Sequence, residues 1–249
     1  MQKEIKEYTG KLSKIKYTFS EIIHNHRHYL LLLYWPLFGL AFNIAESGKF
    51  TDVYHLIRCG LDERIPFCEY FVIPYILWFA FVALTCAYTL FFEKDVFVRY
   101  MKFIIIGYTV AIIAFFVYPS AHNLRPVVFD NPNIFTSMVL GIYSVDTSTN
   151  IFPSIHVIGS LAVLFAVFDS KRLSRSIFIK AFFTAMTASI CLSTVFIKQH
   201  SVIDVIAALI LCAAIYPFCF LKRKPQKNQC RHGEDSSPDK PLSSYRETK

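Results

Sequence analysis

Charge is what this chain has little of: 18% of its 249 residues are Asp, Glu, Lys or Arg. These fall in blocks separated by long uncharged stretches, which excludes an ordinary soluble domain with charge spread over its whole surface. C-x-x-C pairs are missing, and with them the usual frame for zinc or a thiol redox centre, so the sequence implies no cofactor and no metal. Cys86, Cys191, Cys212 and Cys219 lie inside apolar runs and Cys230 in the C-terminal tail. Cys59 and Cys68 share one loop, where an oxidising compartment would allow a disulfide if the geometry did. Internal repeats and paired, interrupted apolar segments are lacking too, which argues against a transporter. The first apolar run follows a 28-residue tail, mostly polar or basic, and has no small-residue cleavage site after it, so it reads as its own insertion signal.

Apolar residues make up 54% of the chain, and the mean hydropathy is +0.41. Crossing about 30 Å of hydrocarbon takes roughly 20 helical residues. Six runs approach that length: Tyr29–Ala45, Phe71–Phe92, Phe103–Tyr118, Phe152–Phe168, Ile177–Ile197 and Val202–Leu221. The expected fold is therefore an all-α integral membrane protein of six transmembrane helices, with a basic tail over 1–28, a membrane domain over 29–221 and a disordered tail over 222–249. Lys and Arg fix the orientation, because cytoplasmic segments retain positive charge. Of 26 basic residues, 21 fall in the two tails and the segments 93–102 and 169–180. Only Lys49, Arg58, Arg64, Arg125 and Lys198 fall on the other side. Both termini are thus expected in the cytoplasm of a multi-pass protein of the cell membrane. The net charge of +8 reflects topology and contact with anionic lipids, not nucleic acid.

On the extracytoplasmic side the topology gathers three short segments: Arg125-Pro126, Phe152 to His156, and Lys198 to Asp204. His200 and Asp204 are four residues apart, so on a helix they share a face, where a carboxylate on one ring nitrogen leaves the other free to attack. Pro153 suits a first helical turn and Ser154 offers a hydroxyl near free backbone N–H groups. His156 then stands in that first turn as a general acid. Arg125 and Lys198 supply charge for phosphate oxygens. The segment from Pro119 to Ile151 exceeds a simple connection and reads as a lid or site loop. The stretch Glu46–Glu69 reads as an outer loop with one short amphipathic helix.

These residues resemble the type 2 phosphatidic acid phosphatase superfamily, including its branch of inositol phosphorylceramide and sphingomyelin synthase-like proteins, over roughly Tyr118 to Ile215. The family pattern is Lys-x6-Arg-Pro, then Pro-Ser-Gly-His, then Ser-Arg-x5-His-x3-Asp. Arg125-Pro126 fits the end of the first motif, Pro153-Ser154-x-His156 the second, and Ser193 with His200-x3-Asp204 the third. Tyr118, Ile155 and Thr194 stand where the family has Lys, Gly and Arg. The resemblance implies a metal-independent enzyme acting on a lipid phosphate, with His200, His156 and Asp204 catalytic and Arg125, Ser154 and Lys198 on the phosphate. Hydrolysis of a lipid phosphate or diphosphate through a phosphohistidine is the leading expectation. Transfer to an alcohol acceptor is the second, and a non-catalytic anion-binding transporter or scaffold the third.

Single residues also have plainer readings. His24, His26 and His28 alternate in a basic interfacial tail and do not form a metal site. His122 lies near Arg125 without a motif. The aromatic residues, Trp35 and Trp78 among them, read as lipid-facing surface and interfacial belt.

Overall fold

The computed structural model describes residues 27–221 apart from 50, 52, 130 and 131. The expected C-terminal tail, residues 1–26 of the expected N-terminal one, Cys230, His24 and His26 lie outside the described residues. Eight α-helices are present among them: α1 (Tyr34–Glu46, entered through a 3-10 segment Arg27–Leu33), α2 (Gly60–Arg64), α3 (Val72–Phe92), α4 (Lys94–Val117), α5 (Ile134–Val145), α6 (Ile155–Asp169), α7 (Ile177–Phe196) and α8 (Val202–Cys219). Two dipeptides, β1 (His55–Leu56) and β2 (Ser120–Ala121), pair in parallel.

Five helical segments are long and apolar enough to cross a membrane: Arg27–Glu46, Glu69–Phe92, Lys94–Val117, Ile177–Phe196 and Val202–Cys219. The expected fourth span is not among them. Its helix begins only at Ile155, and 15 residues rise about 22 Å, short of a bilayer's hydrocarbon. Position explains its composition: α6 packs against α3, α4, α7 and α8, and Val157, Ile158, Ala162, Val163, Ala166 and Val167 are all fully buried. It is apolar because protein surrounds it.

The third span starts at Lys94, nine residues earlier than the apolar run suggests. Its charged first turns are partnered instead of looped out. Arg99 donates to Asp169 at 2.5 Å, and Glu93, in the one-residue turn after α3, accepts from the Ser170 hydroxyl and from the Lys171 N–H at 2.8 Å. The α4–α6 contact is close because Gly107 has no side chain: a Cβ there would lie 2.6 Å from Ile158 Cγ2. Helix α1 stands apart from this packing. It leans chiefly on α4, and 6% of the apolar window of its segment is buried.

The expected lid loop contains α5, whose start Asn133 caps by accepting from the Phe135 and Thr136 N–H groups at 2.8 and 3.0 Å. Val139 of α5 joins Val72, Tyr75 and Ile197 in a small core of its own over the end of the bundle. The loop before α3 holds α2, only 5 residues long. Cys59 and Cys68, flanking it, are both free.

Candidate active site

The N-terminus of α8 builds one half of the site. Ser201 is its cap: the hydroxyl accepts from Ile203 N–H at 3.2 Å, and Asp204 returns the bond by accepting from Ser201 N–H at 2.8 Å. This reciprocal capping locks Asp204 into the first turn. His200 precedes the cap, with its Nδ1 3.4 Å from Asp204 Oδ2. That distance is long for a hydrogen bond, as such pairs often are before substrate arrives.

The start of α6 builds the other half. Ser154 is fully buried, and its N–H donates to the Asp204 carbonyl at 3.4 Å. His156 occupies the second helical position, its ring centroid 4.5 Å from Tyr75, 4.3 Å from Trp78 and 5.6 Å from His200. Pro153 lies before the cap, joined to Phe152 by a cis peptide bond, not within the first turn as expected.

Buried polar atoms without hydrogen-bond partners gather at this point. They include Ser154 Oγ, His156 Nδ1, His200 Nδ1 and Asp204 Oδ1. Each such atom costs about 1–3 kcal/mol if left unpaired. An oxygen-rich ligand would satisfy the Ser154 hydroxyl and the His156 ring, while His200 Nδ1 faces Asp204.

The two expected cations have other partners. Lys198 adopts a left-handed backbone, φ 54°, and its ammonium donates to the carbonyls of Asp62 and Ile65 at 2.6 and 2.5 Å. It clamps α2 to the α7–α8 turn. Arg125 donates to the carbonyls of Tyr143 and Asp146 at 3.2 and 2.6 Å and to Gln199 Oε1 at 2.5 Å, and lies over the Tyr143 ring at 4.2 Å. Only its Nε is left without a partner. Burial lowers the pKa of both groups.

Several residues here carry no sequence signal. Asp62, on α2, is 1% exposed. Its carboxylate accepts from Ser201 Oγ at 2.6 Å, Val202 N–H at 2.8 Å and Cys59 N–H at 2.7 Å. Burial pushes this carboxyl's pKa up, but the three hydrogen bonds outweigh it and hold the pKa below the usual value. Asp146, at the end of α5, accepts from the Tyr75 hydroxyl and from Gln199 Nε2 at 3.0 Å. His122 accepts from Leu124 N–H through Nδ1 at 3.2 Å, which makes Nε2 the donor to the Gln199 carbonyl at 2.8 Å. Burial pushes its pKa down to about 4. Trp78, expected to face lipid, is instead 7% exposed and packs on His156.

A helical bundle of membrane-crossing segments, enclosing two histidines and a carboxylate beside unpartnered anion-binding donors, defines a multi-pass integral membrane protein with the constellation of a phosphoesterase. Residues 130–227, the stretch that holds both histidines and Asp204, match the PAP2 superfamily. No curated protein and no solved structure matches the chain.

Proposed function

We propose that the protein is a membrane lipid phosphatase that hydrolyses a lipid phosphate or diphosphate ester through a phosphohistidine. The observation that carries this reading is the convergence of His156 and His200, ring centroids 5.6 Å apart, with Asp204 beside His200. His200 attacks phosphorus through Nε2 while Asp204 orients Nδ1 and balances the charge the ring acquires. The P–O bond to the lipid breaks as the P–N bond forms, and His156 gives its proton to the departing alkoxide. Water then attacks the phosphohistidine, its proton passing to His156, and orthophosphate leaves. Ser154 Oγ, the N–H groups at the start of α6 and Arg125 Nε face the phosphoryl oxygens. Protein groups supply every step, so no metal is required. The Lys and Arg distribution supports six membrane helices, with α6 as the short inner one, cytoplasmic termini and an extracytoplasmic site.

Transfer to an alcohol acceptor is the second reading. It is favoured by Tyr118 and Thr194 in place of the family's cations and by the engagement of Lys198 with carbonyls. Purified protein in chelator, offered labelled lipid phosphates with and without alcohol acceptors, separates the two. Phosphate release that vanishes in His200→Ala supports hydrolysis. Label passing only to an acceptor makes the protein a transferase, and no His200-dependent product removes both readings.

A further inference from the structure

A cavity of about 670 Å³ opens between α1 and α3. Along α3 it is walled by Trp78, Val82, Cys86 and Leu90, which recur every four residues, with the small Ala83 and Ala87 beside them. Across from these stand Leu32, Trp35, Phe38 and Phe42. From Trp78 to Leu90 this wall runs about 18 Å at 1.5 Å per residue. The space exists because α1 leans on α4 and the α3 wall carries alanines where larger side chains would close it.

Any gap between membrane helices can fill with bilayer lipid, but this one ends on reactive groups. His156 and Asp146 close its upper end, and Phe42, Asp146, Ile155 and His156 also line the small chamber that reaches His200. The apolar groove therefore adjoins the histidine chamber across these shared residues, which gives it a polar end and an apolar body. Its long axis points away from the histidines. A molecule matching this shape has its phosphate at His156 and a single hydrocarbon chain lying along α3. At about 1.2 Å per bond for an extended chain, some 15 bonds span the groove.

We propose that the α1–α3 groove holds one hydrocarbon chain of the lipid phosphate, and that Ala83 and Ala87 set the chain length the enzyme accepts. This rests on the phosphatase reading for its kinetic arm only. The chain has two tryptophans, Trp35 and Trp78, and both line the groove, so occupancy can be read without turnover. Detergent-solubilised protein is titrated with 11-bromoundecyl phosphate, and in parallel with 11-bromoundecanol as the partition control. Saturable quenching by the phosphate alone, reversed by excess undecyl phosphate and weakened in Ala87→Phe, is the expected result. Equal quenching by phosphate and alcohol means that bulk lipid fills the groove and overturns the proposal.

In the kinetic arm, Ala83→Phe and Ala87→Phe are compared on hexyl and hexadecyl phosphate. Each methylene kept out of an apolar site forgoes roughly fourfold in affinity, so kcat/KM for the long chain falls at least about tenfold while the short chain stays within about twofold. Equal loss on both chains, or no loss on either, counts against the groove. Saturable phosphate-specific quenching in a protein that hydrolyses nothing would keep the groove and discard the phosphatase.

Discussion

Asp62 lies 138 residues before His200 and on a different segment, yet it fixes the turn from which His200 projects. Removing its carboxylate leaves Ser201 Oγ and Val202 N–H buried without their acceptor, at a cost of about 1–3 kcal/mol. Asp62→Ala should lower kcat by about 10–100-fold through misplacement of His200 and leave KM little changed. Steady-state kinetics on the folded variant check this, and unchanged kcat would show that Asp62 is structural only. His122 gives a pH signature. Its folded pKa, about 4, is below the ordinary value near 6.5, so the folded state favours the neutral ring. That contribution is complete above about pH 6.5 and is lost progressively as pH falls toward 4. Melting in detergent should show a Tm that declines across this window, and His122→Gln, which cannot be protonated there, should flatten the decline. The His200-x3-Asp204 spacing points to the pair, but not through a shared helix face as expected: His200 precedes the Ser201 cap and meets Asp204 from the turn before the helix. The partners of Lys198 are not legible, since they are carbonyls contributed by a distant loop.

At the scale of elements, α4 and α6 approach through Gly107. A methyl there lies 2.6 Å from Ile158 Cγ2 inside the core, so Gly107→Ala should destabilise by about 1–3 kcal/mol. Gly141 on α5 makes the contrast: nothing lies within 4 Å of its added Cβ, and Gly141→Ala should stabilise by about 0.5–1 kcal/mol. Thermal melts of the two variants test both signs. Five segments of membrane-crossing length were legible in the apolar runs, because lipid demands length. The shortness of α6 is not legible, because a helix surrounded by protein is as apolar as one facing lipid, nor is the early start of α4, because Arg99 finds its partner, Asp169, on another helix. The helix inside the expected lid, α5, shows in the sequence only as the apolar stretch Ile134 to Tyr143 between turn formers.

For the whole molecule, the proposed orientation and the sidedness of the site rest on the asymmetry of Lys and Arg. In a background without native cysteines, a membrane-impermeant maleimide applied to intact cells should label Val127→Cys, at a position 96% exposed, and spare Lys171→Cys, in the turn after α6. The reverse pattern would invert the topology. In the proposed mechanism His200 carries the phosphoryl group between two half-reactions. The most direct test of this is rapid quenching of the enzyme with a ³²P-labelled lipid phosphate, followed by mapping of the labelled peptide. The expected result is an acid-labile, base-stable label on His200 that is absent from His200→Ala. Turnover with the label on another residue, or with no label on the protein during turnover, would contradict it.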